Sequence, residues 1–112
     1  MTKKQKSEKK CPVNAFQKLI SGKHKIRIIW NLKDGPMRYN EIRRGLLVGD
    51  INSAEVAARV VSRELKQLCD FGLLSRKDFQ TLPPKVEYSL TKAGLSFIPV
   101  IGKMHEWGMK YL

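Results

Sequence analysis

The chain has 112 residues and a formal net charge of +12, from 22 lysines and arginines against 10 aspartates and glutamates. That length suits one small domain, and that charge calls for a polyanionic partner, nucleic acid ahead of an anionic membrane surface. Two cysteines and two histidines without metal-ligand spacing exclude a disulfide framework and a zinc site, and no apolar run has the length of a transmembrane span.

Residues 1–10 carry Lys3, Lys4, Lys6, Lys9 and Lys10 against Glu8 and read as a disordered basic arm. Without them 17 basic and 9 acidic residues remain, so residues 11–112 keep a charge of +8. The charged start lacks the apolar stretch of a signal peptide, and the expected compartment is the cytoplasm. Pro12 suits the first position of a short helix with Val13, Phe16, Leu19 and Ile20 on one side, closed by Ser21 and Gly22. Residues 23–33 place Ile26, Ile29, Trp30 and Leu32 at helical spacing, with Ile28 widening the stripe. Asp34, Gly35 and Pro36 stop that helix, and Met37-Arg38-Tyr39 is a short extended piece.

Asn40 is expected to cap a helix through Arg44, with Ile42 and Leu46 facing inward. Residues 47–52 read as a loop. The longest helix is expected from Ser53 to about Phe71, with Val56, Val60, Val61, Leu65 and Leu68 as its buried stripe. Glu55, Arg59, Ser62, Arg63, Lys66 and Asp70 lie on its other faces, and Gly72 suits the position after its end. The period then changes from helical to alternating, which predicts strands over residues 74–79 and 85–90. Pro83 and Pro84 give the connection a stiff tip that resists further strand pairing. Thr91 caps a final helix with Phe97, Val100, Ile101, Met104, Trp107, Gly108 and Tyr111 as its stripe, and Pro99 inside it predicts a kink or a late start. The fold class is α+β, mainly α: a helix-turn-helix followed at once by a basic hairpin, which is the winged-helix plan.

Several ordered motifs resemble one family. They are Cys11-Pro12-Val13, Gly22-Lys23-His24-Lys25, Trp30-Asn31-Leu32 near Gly35-Pro36, and Arg38-Tyr39-Asn40-Glu41-Ile42-Arg43-Arg44. Further on come Glu64-Leu65-Lys66-Gln67-Leu68, Gly72-Leu73-Leu74, Pro83-Pro84-Lys85-Val86-Glu87-Tyr88-Ser89-Leu90-Thr91, and Glu106-Trp107-Gly108. In this order, across residues 11–108, they resemble the HxlR-type, MarR-like winged-helix transcriptional regulators. The resemblance implies a homodimer on a near-palindromic operator, with the first and last helices as the dimer interface, and repression as its mode. It also implies that a cysteine near the N-terminus can sense oxidants or electrophiles. One departure is the passage into the recognition helix, lengthened by residues 50–54, which blurs where that helix begins.

The residues carry roles of their own. A recognition helix presents polar side chains to base edges, and Arg59, Ser62 and Arg63 share a face opposite the valines. Arg38, Arg43, Arg44 and Lys66 flank that helix and suit phosphate contacts, with Glu41 and Glu64 as competitors for some of them. Arg76, Lys77 and Lys85 lie on the hairpin, where a basic wing reaches a phosphate or the minor groove. Cys11 follows two lysines at a helix start, an environment that lowers a thiol pKa, and it holds the family's sensor position. Cys69 reads as a small packed residue. Val13, Phe16, Phe97, Val100, Ile101, Met104, Trp107 and Tyr111 offer more apolar surface than one small chain needs, and a dimer through both ends would bury it.

No paired carboxylates, nucleophile with its base, phosphate loop or metal cluster appears, so neither catalysis nor a cofactor is expected. A nonspecific architectural DNA-binding protein is the main alternative, because the same charge would serve it. A regulator answering to a small-molecule inducer, without cysteine sensing, is another. RNA binding is disfavoured by the lack of exposed aromatic pairs on the hairpin.

Overall fold

The computed structural model describes residues 12–22, 24–46 and 58–112. The core is built around the second helix, α2 (Lys25–Asn31), which continues into a single 3-10 turn over Leu32–Asp34. Ile28, Ile29 and Leu32 are its buried residues, while Ile26 and Trp30 are only half-buried. The inward stripe is therefore turned toward Ile28 relative to the expected one, and it includes Lys25.

The preceding helix, α1 (Pro12–Ile20), lays Phe16, Leu19 and Ile20 half-buried against this core. The Phe16 ring meets Phe97 edge-on at 5.7 Å. After α2 come a two-residue strand, β1 (Met37–Arg38), and the short helix α3 (Tyr39–Gly45). Asn40 does not cap α3. The cap is Arg38, whose extended backbone is set by pairing with Glu87, and Glu41 turns back to accept the Arg38 N–H at 2.8 Å. Glu41 is thus committed to the helix start, not to a neighbouring arginine. Ile42 and Leu46 face inward as expected.

The long helix α4 (Ala58–Asp70) buries Val61, Leu65 and Leu68 against α2. Its expected start at Ser53, its Val56, and the lengthened passage over residues 50–54 lie outside the described residues. Its end is a Schellman turn: Gly72 at φ +82° donates to the Cys69 carbonyl at 2.9 Å, and Leu73 to the Leu68 carbonyl at 3.1 Å.

Strands β2 (Leu74–Asp78) and β3 (Val86–Leu90) form the hairpin, and β3 lies between β1 and β2 in a three-stranded antiparallel sheet. The register pairs Leu74 with Leu90, Arg76 with Tyr88 and Lys77 with Glu87. Only Leu74 of β2 is buried, because the hairpin leaves the body of the molecule beyond it. The last helix, α5 (Lys92–Tyr111), begins directly after Thr91, whose hydroxyl accepts the Gly94 N–H at 3.1 Å. That excludes the late start. Pro99 sits within the helix and supplies no N–H to the turn before it. Phe97 and Ile101 close the core. Helices α3 and α4 with the following hairpin make this a winged helix-turn-helix fold.

Candidate nucleic-acid interface

The side of α4 away from the core is polar because every core-facing position is already taken. Arg59, Ser62 and Arg63 are exposed and lie three and four residues apart, so they share one face. Among the described residues, neither arginine has an ion-pair partner. Lys66, a turn further on, is held by Asp70 at 3.0 Å in an exposed pair. Such a pair in water is weak, so Lys66 can leave it for a phosphate at little cost.

Tyr39 fixes α3 to α4, since its hydroxyl donates to the Ala58 carbonyl at 2.9 Å. Tyr39, expected at the end of the short extended piece, instead opens α3. Its aromatic ring ahead of a basic helix was the available signal. Between the start of α3 and the wing lies a cleft of about 480 Å³ lined by Arg38, Tyr39, Asn40, Glu41, Arg44, Pro84 and Val86. Across it the Arg38 guanidinium donates to the Pro84 carbonyl at 3.4 Å. Arg38 and Arg44 are thus brought to one cleft, while Arg43 is half-buried on another side of α3. Glu64, a candidate competitor for these arginines, is fully buried and paired with Lys25.

On the wing, Lys77 and Lys85 both stand over the Phe79 ring, at 4.7 and 4.5 Å from its centre. Lys85 is also 3.8 Å from Glu87. The wing is continued past its strands by a Phe79 N–H to Lys85 carbonyl bond of 2.9 Å. Its tip is braced by Gln80 N–H on Asp78 at 2.8 Å and by the Thr81 hydroxyl on the Pro83 carbonyl at 2.9 Å. Cations, a ring and a stiffened turn thus project together from the same end of the fold as Arg76.

The apolar stripe of α5 divides. Phe97 and Ile101 belong to the core of the chain itself, at 9% and 6% exposure. Val100, Met104, Trp107 and Tyr111 stay 39–61% exposed, with Val13 on α1 at 64%. Trp107 and Tyr111 pack their rings together at 5.2 Å. Cys11 lies outside the described residues. Cys69 is half-buried, and burial, aided by Asp70, pushes its thiol pKa up. Among the described residues no helix is long and apolar enough to cross a membrane.

Residues 19–112 match the family model of HxlR-like helix-turn-helix proteins. The chain is 36% identical over 101 residues to an uncharacterized helix-turn-helix-type transcriptional regulator of Methanothermobacter thermautotrophicus, covering 90% of this chain and 72% of that one. Among solved structures, a protein of Porphyromonas gingivalis W83 assigned to the MarR family superposes with a TM-score of 0.78 at 31% identity, covering 97% of this chain and 100% of that one. The redox regulator HypR in its oxidized form gives a TM-score of 0.76 at 33% identity, covering 91% and 98%.

Proposed function

The chain belongs to the HxlR-like helix-turn-helix family, and on that premise we propose that it is a transcriptional regulator binding a two-fold-symmetric DNA operator as a homodimer. The observation that carries this reading is the outer face of α4. Arg59, Ser62 and Arg63 stand exposed together, and Tyr39 of the arginine cleft is hydrogen-bonded to Ala58 of the same helix. Arginine can donate two hydrogen bonds to a guanine edge, and serine pairs with several bases. Arg38, Arg44, Lys66, Arg76, Lys77 and Lys85 then serve the phosphates on either side. Arg43, half-buried, serves them less directly.

Dimerisation supplies the second half-site. The exposed apolar residues of α5 and α1 support it, and an isologous pairing would set two α4 helices about one DNA turn apart. Residues 1–10 add a basic arm to the domain formed by residues 11–112. The likeness to HypR, a redox regulator, supports a thiol response at Cys11. Diamide or a quinone should lower operator affinity of the wild type and leave Cys11→Ser unaffected. Unchanged wild-type affinity after confirmed Cys11 modification removes the sensing role.

The test of the main reading is selection from a randomised duplex library, followed by affinity for the enriched duplex and for random DNA at physiological salt. A regulator enriches a symmetric sequence and prefers it by roughly a thousandfold or more. A ratio near one would instead favour an architectural DNA-binding protein.

A further inference from the structure

Two charged residues occupy positions that periodicity reserves for apolar ones. Lys25 is in register with Ile28, Ile29 and Leu32 on α2, and Glu64 with Val61, Leu65 and Leu68 on α4. Both side chains are buried, at 4% and 1% exposure. The Lys25 ammonium donates to Glu64 Oε1 and to the Ser21 carbonyl at 2.7 Å. Ser21 directly follows α1, so one ammonium joins the end of α1, the start of α2 and the middle of α4. The backbone is shaped around this contact. Gly22 has φ +98°, and a Cβ there would lie 2.5 and 2.8 Å from the Glu64 oxygens and 2.8 Å from Lys25 Nζ.

Stability alone does not call for this pair. Removing two charges from water offsets much of their attraction, and apolar residues of similar volume commonly stabilise such a position as well or better. An ion pair adds direction. A hydrophobic stripe tolerates a small rotation of the helix, whereas a buried carboxylate turned away from its cation is left uncompensated. Glu64 adjoins Arg63 and lies two residues from Ser62. The rotation that satisfies Glu64 therefore also aims the outer face of α4.

We propose that the Lys25–Glu64 pair is the positioning element of α4, fixing its rotation against the α1–α2 turn and thereby setting operator selectivity. The inference rests on the DNA-binding reading above. The test uses the full chain carrying Lys25→Met with Glu64→Leu, and as operator the duplex that the wild type selects from a randomised library. The double variant is expected to fold with a Tm no lower than the wild type. It should keep its random-DNA affinity within about twofold and lose at least about tenfold in the operator-to-random ratio, roughly 1.4 kcal/mol. Glu64→Gln keeps the side-chain shape and an acceptor for Lys25. It should retain the ratio within about threefold of wild type even where its Tm falls. A double variant that fails to fold, or that folds and keeps the wild-type ratio, overturns the proposal. A Glu64→Gln ratio as low as that of the double variant overturns it too. A wild type that enriches no sequence removes the DNA-reading premise, an outcome distinct from these.

Discussion

Burial and the Asp70 charge act in the same direction at Cys69. Loss of solvent pushes its thiol pKa up, Asp70 adds to the rise, and Arg76 and Lys66 oppose it. The thiolate is the nucleophile, so a raised pKa leaves less of it at any given pH. In a Cys11→Ser chain, iodoacetamide at neutral pH should therefore alkylate Cys69 more slowly than free cysteine, and unfolding should abolish the difference. Alkylation of the folded chain faster than free cysteine would contradict the assigned environment. Arg63 has a different signature. If it reads a base, Arg63→Ala weakens operator binding by about 1–3 kcal/mol and random-DNA binding far less, whereas Lys77→Ala weakens both alike and lowers the salt slope by about one. Fluorescence anisotropy on both duplexes separates the two, and equal weakening by Arg63→Ala would make it a phosphate contact. The exposed face of α4 was legible in the sequence because its polar residues point to solvent and owe nothing to a distant element. Glu64 was not, because spacing along one helix says nothing about the helix it meets. The signal was present as two opposite charges, each interrupting an apolar stripe.

The join between the Schellman turn and α5 shows how closely two elements can be fitted. Thr91 accepts the Gly94 N–H, donates its own hydroxyl to the Gly72 carbonyl at 2.6 Å, and gives its backbone N–H to the Leu73 carbonyl at 3.0 Å. The start of α5 is thereby drawn onto Leu73, and a Cβ on Gly94 would come within 2.2 Å of the Leu73 oxygen. That oxygen is backbone and cannot turn aside. Gly94→Ala should cost about 1–3 kcal/mol by overpacking, read as a Tm lower by roughly 4–13 °C. An unchanged Tm would mean that α5 is not seated against Leu73. Elements defined by their own periodicity and punctuation were legible: the Gly72 turn, both hairpin strands and the Thr91 cap lie where the sequence places them. The start of α3 was not. Asparagine is the better capping side chain, but pairing of Arg38 with Glu87 holds the chain extended one step before Tyr39, and Glu41 completes the cap from within the helix. A strand distant in sequence decided that boundary, as tertiary pairing commonly does.

The positive charge of the whole chain is shared among residues 1–10, the outer face of α4 and the wing, and on the DNA-binding proposal their contributions should be separable. Deleting residues 1–10 lowers the formal charge from +12 to +8. It should weaken binding to every duplex and flatten the dependence on salt, because fewer counterions are released, while the selected operator stays the same. A changed operator would give the arm a base-reading role. In the proposed dimer, the spacing of two α4 faces would depend instead on α1 and α5 meeting their counterparts in a second copy. Met104, Trp107 and Tyr111 lie along α5 at helical spacing with 39%, 58% and 61% of their surface exposed, whereas Phe97 and Ile101 on the same helix are already committed to the core. Trp107→Glu places a charge where the dimer would exclude water, at a position that is 58% exposed and not part of the buried core. The variant should therefore keep its Tm within a few degrees and sediment as a monomer at micromolar concentration. Losing the second half-site should lower operator affinity by orders of magnitude, while affinity for a duplex carrying one half-site stays close to that of wild type. A wild type that is monomeric under the same conditions, or a Trp107→Glu chain that remains a dimer with full operator affinity, would place the interface elsewhere and leave the exposed face of α5 without this role.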